Sequence, residues 1–248
     1  MFRFDPERGG WTPSILMEGL FTTVRLSIWA GLLATVAGTS AGLCRVSGKR
    51  FRRLLGSCYV ELIRNLPALV LVFIFYYFVS DRIMPVLGLE ELAASAPQGV
   101  QGLISLFIAQ PARLSAFVSA VITLGLYEGA YIAEIVRAGV SSIEKGQWDA
   151  AHALGLSRPQ QLRHVILPQA LQRILPPLAG QFISTIKDSA VVSVISIQEL
   201  TFQGMELMAS TYLTFEIWIT VALMYFVLTF TCSLAVDRLE NHMQKSNR

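Results

Sequence analysis

Long apolar runs alternate with short polar stretches that gather Lys and Arg. About 20 apolar residues in a helix cross the hydrocarbon core of a bilayer, and five runs reach that length: about 19–44, 57–80, 114–136, 174–198 and 217–236. The pattern predicts an all-α integral membrane protein made of one domain with five transmembrane helices. In the first run Gly31, Gly38 and Gly42 recur at the small-residue spacing that lets helices approach closely. The second carries Glu61, Arg64 and Pro67 near its start, and the third holds Glu128 and Glu134. The fourth opens on Pro176 and Pro177 and is interrupted by Lys187 and Asp188. Within residues 81–113 the uncharged stretch Leu92 to Ala112 is broken by Pro97, Gly99, Gly102 and Pro111 and by three Gln, so it reads as an external or interfacial insertion.

The most polar interruption is residues 140–170, between the third and fourth runs. Its core reads WDAAHALGLSRPQQLRHVILP, from Trp148 to Pro168. Gly155 ends one helical piece. Ser157 with Gln160 has capping-box spacing and starts a second, with Arg158 and Pro159 in its first turn. Pro168 then separates that piece from the next run. The segment offers small Ala side chains, a Gly bend and the charges of Asp149, Arg158 and Arg163, with no nucleophile beside a base. It suits docking into a groove on a partner protein.

Composition agrees with the runs. Hydrophobic residues make up 53% of the chain and charged residues 15%, against about 25% charged in a soluble domain; the mean hydropathy is +0.53. The 248 residues leave no room for a nucleotide-binding fold beside five spans, and no GxxxxGK[ST] loop occurs, so any ATP is bound by a partner. No cofactor, metal or nucleic-acid partner is expected. Cys44, Cys58 and Cys232, and His152, His164 and His242, lack metal-ligand spacing. Met1 to Gly19, with Asp5 and Glu7, does not read as a removable signal peptide; the first run would itself direct insertion.

Charge sets the orientation. Arg45, Lys49, Arg50, Arg52 and Arg53 after the first run, Arg137, Lys145, Arg158, Arg163 and Arg173 between the third and fourth, and Arg238, Lys245 and Arg248 in the tail place thirteen basic residues on one side. Arg3, Arg8, Arg82 and Arg113 place four on the other. By the positive-inside rule the N-terminus is outside and the C-terminus is cytoplasmic.

Asp149, Ala150, Ala151, Gly155, Val165, Leu167 and Pro168 stand at a spacing similar to the Glu-Ala-Ala, Gly, Ile, Leu-Pro pattern of ABC importer membrane subunits, with Asp149 for Glu and Val165 for Ile. Four further stretches resemble the permeases for polar amino acids: Tyr59 to Pro67, Gly129 to Arg137, Lys145 to Trp148, and Lys187-Asp188-Ser189 with Val192 to Ile195. The insertion after the second run looks most like the glutamate and aspartate branch. The resemblance implies a permease subunit in the bacterial cytoplasmic (inner) membrane that imports a polar amino acid by alternating access. It implies that 140–170 is the cytoplasmic coupling segment, in which Asp149, Ala150, Ala151, Gly155, Leu167 and Pro168 meet the ATPase. It also implies ABC ATPase subunits, a second permease subunit, identical or homologous, and an extracytoplasmic solute-binding protein as partners. The chain itself is then no enzyme. The alternative class is a stand-alone secondary transporter or channel, for which repeats within the chain would be expected.

Ionisable groups at membrane depth cost about 2.5 to 3.5 kcal/mol on insertion scales, so each needs a reason. Lys187 and Asp188 fall near the middle of the fourth run. They read either as partners for the carboxylate and ammonium of an amino acid, with Ser189 beside them, or as bridges to other helices. Glu128 stands where related permeases usually carry a small or neutral residue. It could bridge to Lys187, meet a substrate ammonium or disfavour an acidic substrate. Glu61 with Arg64, and Glu134 with Arg137, are three apart and can pair along one helix face, forming an inner gate or anchoring helix ends.

Overall fold

A computed structural model describes residues 2–5 and 10–246. Glu7, Arg8 and Arg248 lie outside the described residues, as do the side chains of Arg3, Asp5, His242 and Lys245. The chain begins with a short hairpin that the all-helical expectation did not include: β1 (Phe2–Asp5) pairs antiparallel with β2 (Gly10–Pro13). The alternation Phe-Arg-Phe-Asp in β1 suits a strand better than a helix.

Everything after it is helical: α1 (Ile15–Arg45), α2 (Arg50–Arg64), α3 (Ala68–Phe78), α4 (Met84–Leu87), α5 (Leu89–Ser95), α6 (Gln98–Phe107), α7 (Leu114–Ser141), α8 (Lys145–Ala153), α9 (Arg158–Gln161), α10 (Leu167–Asp188), α11 (Leu200–Thr211) and α12 (Thr214–Ser246). Among the described residues four helical stretches are long and apolar enough to cross a membrane, Ile15–Arg45, Pro111–Ser141, Arg158–Ile195 and Thr214–Arg238; the bent pair α2 and α3 makes a fifth if counted as one span.

The spine is α1 against α7. A Cβ on Gly38 would lie 2.6 Å from both the Gly129 carbonyl and the Ile132 Cβ, and one on Gly42 would lie 2.7 Å from the Ala133 carbonyl. The small residues therefore permit backbone contact. Leu26, Ala30 and Ala34 of α1 and Ala120, Leu124 and Ala133 of α7 are buried, and Leu26 and Ala30 share one core cluster with Ala120 and Leu124. Phe215, Ile219, Leu223, Phe226 and Phe230 of α12 are exposed, as suits a face turned to lipid.

Two expected helices have different limits. The run 57–80 is not one helix: α2 and α3 meet at 115°, because Leu66 before a proline avoids the α region and Pro67 donates no hydrogen bond. The helical backbone instead passes Ser80, through a π-helical turn at Val79–Ile83 and α4, to Gly88 at φ 56°. The start of the expected insertion thus prolongs α3. The rest, α5 and α6, is too short to cross. It docks on α1, where Arg25 donates to the Ser105 carbonyl at 2.7 Å and Trp29 to that of Phe107 at 2.9 Å.

The fourth run also shifts. Pro168 does not separate two pieces; the helical backbone runs through it, and the π-helical turn at Leu162–Ile166 just before it accommodates a ring that has no N–H. Pro176 and Pro177 lie inside α10 and do not open it. Regular α geometry ends at Asp188 and tightens into a 3-10 turn, Ser189–Ile195, so Lys187 and Asp188 occupy a helix end and not the middle of a helix.

Glu199, fully buried, caps α11. It accepts from the Thr201 and Phe202 amides at 2.9 and 2.8 Å and from the Tyr225 hydroxyl at 2.7 Å, and Thr23 of α1 accepts from the Leu200 amide at 3.1 Å. Three segments are tied at one point. Replacing Glu199 by Ala strands those donors, so we expect a loss of about 2 to 4 kcal/mol, read as a lower unfolding temperature in detergent. Tyr225→Phe removes one donor and should cost about 1 kcal/mol.

Candidate functional site

The polar segment folds as a helix, a tight turn and a helix. Leu156 N–H bonds the Ala151 carbonyl at 3.2 Å and Gly155 N–H that of His152 at 2.9 Å, with Gly155 at φ 76°. This is a Schellman ending, for which glycine is the favoured residue. The Ser157 amide donates to Gln160 Oε1 at 2.9 Å, so Gln160 takes its expected capping place. Arg158 lies over the Trp148 ring, 5.3 Å from its centroid. Asp149, Ala150, Gly155 and Pro168 are exposed, whereas Ala151 is buried and Leu167 packs against the core. Two residues were not singled out from sequence. Leu154 projects outward, 79% exposed, at the turn. Buried Gln161 donates to the Leu156 carbonyl at 2.7 Å and fixes the bend.

A second cluster lies where α7 faces α10. Glu128 is fully buried and accepts from Gln181 Nε2 at 2.7 Å, while its Oε1 has no hydrogen-bond partner. Asp188 and Thr185 stand near Glu128. Gln181, Thr185 and Asp188 are spaced four and three apart and so share one face of the helix. Lys187 falls on another face and is exposed. The Glu128–Lys187 bridge considered from sequence is therefore absent: among the described residues neither Glu128 nor Asp188 has a Lys or Arg within salt-bridge distance. The Ser189 hydroxyl is engaged by the Ile186 carbonyl at 2.8 Å. The structure thus joins Glu128 to Asp188 and leaves Lys187 and Ser189 aside. Gln181 and Thr185 were legible only as polar positions in register with Asp188. Tyr127 and Tyr131 complete the surroundings, with hydroxyls 3.2 Å apart and rings edge to face at 5.3 Å.

The third cluster lies toward the end of α7 that leads into the polar segment. Glu134 pairs with Arg137, as its spacing predicts, and also with Arg45 at 2.5 Å and Arg64 at 3.8 Å. The expected Glu61–Arg64 pair does not form. Glu61 turns to Arg45 at 3.5 Å, and Arg64 sits over the Tyr131 ring at 5.6 Å. Three-dimensional packing brings a richer partner to each than the helix-local choice, and Arg45, read from sequence only as one of many basic residues, becomes central.

A family model described as "Binding-protein-dependent transport system inner membrane component" matches residues 34–245. The chain is 36% identical over 230 residues to the glutamine transport system permease protein GlnP of Escherichia coli (strain K12), covering 93% of each. It is 34% identical over 233 residues to the probable glutamine ABC transporter permease protein GlnM of Bacillus subtilis (strain 168), covering 94% of this chain and 95% of the relative. It is 29% identical over 235 residues to the glutamate/aspartate import permease protein GltJ of E. coli (strain K12), covering 95% and 88%. Among solved structures, an amino acid ABC transporter with histidines superposes with a TM-score of 0.72 at 32% identity, covering 92% of this chain and 94% of that one.

Proposed function

Because the chain belongs to the family of inner-membrane components of binding-protein-dependent transport systems, we propose that it is the permease subunit of an ATP-driven importer of a polar amino acid. Its N-terminus is outside and its C-terminus cytoplasmic, following the charge bias. The helix–turn–helix at Lys145–Gln161 then faces the ATPase, with Asp149, Ala150, Leu154 and Gly155 as the contact surface, and ATP is bound and hydrolysed by that partner. With four or five spans around one side of a site, the chain pairs with a second permease subunit and receives substrate from an extracytoplasmic binding protein.

The observation that carries the substrate reading is the Glu128–Asp188 pair. Buried Glu128, with Oε1 unpartnered, stands near half-buried Asp188; a positive group between the two carboxylates would offset their charge, and the ammonium of an amino acid supplies one. Acidic substrates are disfavoured by the same pair. The glutamate and aspartate likeness expected from the insertion is accordingly the weaker one, in line with the higher identity to permeases named for glutamine.

The test is ATP-dependent uptake in proteoliposomes holding the permease, its ATPase and its binding protein. Gly155→Val should leave the bundle assembled, since nothing lies within 4 Å of a Cβ there, yet a β-branched residue at φ 76° reshapes the turn. We expect substrate-stimulated ATP hydrolysis to fall at least roughly tenfold, equivalent to a loss of about 1.4 kcal/mol in productive docking. Unaltered uptake in this variant would remove the segment from coupling.

A further inference from the structure

We infer that α2 is a seat for an anionic phospholipid, with the headgroup held by Lys49, Arg50, Arg52 and Arg53 and the acyl chains laid along Phe51, Leu54 and Leu55. The seat does not depend on which amino acid is carried. α1 has 31 residues, about 46 Å at 1.5 Å per residue, so it crosses the whole hydrocarbon core of about 30 Å. Arg45 therefore reaches the membrane surface, and α2 starts there. Lys49, Arg50, Arg52 and Arg53 are all exposed, and among the described residues none of them makes an ion pair. The first turn of α2 has no acidic residue. Cations at a helix N-terminus oppose the macrodipole, so these four do nothing for the helix itself, and their charge is left for a group outside the chain.

Packing fixes how α2 is turned. Gly56, Val60 and Ile63 form its buried face: a Cβ on Gly56 would lie 2.8 Å from the Ala41 carbonyl of α1, and Ile63 joins Leu71 and Ala130 in one cluster. Phe51, Leu55, Cys58 and Leu62 recur at helical spacing and line a second face, with Leu54 beside it. All five are exposed, Phe51 to 72% and Leu54 to 68%. Helical rotation puts Arg50 and Arg53 along one seam between the two faces and Arg52 at the other edge. A basic stripe beside an apolar one is the pattern of a helix lying in the surface of an anionic membrane. Free phosphate would use the arginines and leave the apolar face in water, and a zwitterionic lipid carries an ammonium that offsets its phosphate. An anionic phospholipid matches both stripes, its phosphate oxygens accepting from guanidinium groups while its chains cover the apolar face. Because Arg64 of the same helix reaches Glu134 at 3.8 Å, the lipid's hold on α2 bears on the cluster that ties α2 to α7.

The experiment uses the permease purified with its ATPase subunits, in nanodiscs of phosphatidylcholine alone or mixed equally with phosphatidylglycerol of the same chains. Amide hydrogen exchange across Arg50–Cys58 should slow at least roughly fivefold in the mixed discs, about the attraction of one basic residue to an anionic surface. Native mass spectrometry of complexes released from the mixed discs should find phosphatidylglycerol retained at least roughly threefold over phosphatidylcholine. Changing Arg50, Arg52 and Arg53 together to Gln should abolish the slowing and bring retention toward equality, whereas changing the same three to Lys should keep most of both. Should the Gln variant fail to insert, the two lipid compositions compared in the parent decide alone. Equal exchange in both kinds of disc overturns the inference, since the face is then covered by a protein neighbour or by nothing. So does equal slowing by about 50 mM inorganic phosphate in phosphatidylcholine discs, which would mark a free-anion site. Slowing in mixed discs that survives in the Gln variant overturns it as well, because the lipid then acts from elsewhere.

Discussion

Gly38→Val removes most of the folded protein. The new side chain has nowhere to go: its Cβ alone falls 2.6 Å from the Gly129 carbonyl and from Ile132 Cβ, and neither a backbone carbonyl nor a β-branched neighbour in a helix can swing aside. The α1–α7 contact must open along its length, which also disturbs the approach at Gly42. Overpacking of this kind costs roughly 3 kcal/mol or more, a large share of a marginal stability. Membrane abundance and the monodisperse fraction after extraction should both collapse. Gly180→Ala is the contrast. No atom lies within 4 Å of its Cβ position, and alanine is a better helix former by about 1 kcal/mol, so that variant should match or exceed the parent. Normal yield of Gly38→Val would mean that α1 and α7 do not pack through this seam.

Glu134→Ala should release α2 from the bundle. One carboxylate holds three guanidinium groups, from Arg45 of α1, Arg64 of α2 and Arg137 of α7. The Arg45 side chain is only 11% exposed. Without Glu134 the three cations face one another with Glu61 alone to offset them, and the nearest relief is for α2 to swing about its bend at Asn65–Pro67. Because the Glu134 side chain is 26% exposed, water moderates the loss to about 2 kcal/mol, below the 3 to 5 typical of a fully buried pair. Amide hydrogen exchange across Arg50–Arg64 should quicken by roughly tenfold or more, with α7 little changed. Adding Arg45→Ala should recover part of the protection. If exchange in α2 is the same in parent and variant, the cluster does not hold that helix.

The two variants act on different kinds of information. That α1 is a tightly packed span was legible from Gly31, Gly38 and Gly42 alone, because helical periodicity aligns small residues whatever the partner. Which helix fills the seam was not. The same holds for charge. Glu134 and Arg137 could be paired from their spacing, since i and i+3 are neighbours on every helix. Glu61 and Arg64 obey the same rule and yet part, because Arg45, sixteen residues before Glu61, comes within 3.5 Å of it.

What the sequence determined by itself was whatever follows from local geometry and solvent transfer: apolar runs long enough to enter a bilayer, the glycine ending at Gly155, and the capping place of Gln160. Tertiary structure decided the break between α2 and α3 as a turn of 115°, the continuity of the backbone through Pro168, and the end of α geometry at Asp188. A proline licenses a bend or a first turn equally well, and packing chooses between them. It also decided that Glu128 meets Asp188 and Gln181 and leaves Lys187 aside. That choice depends on how α10 is rotated against α7, and a rotation between two helices is set by the side chains of both, which no single run of residues contains.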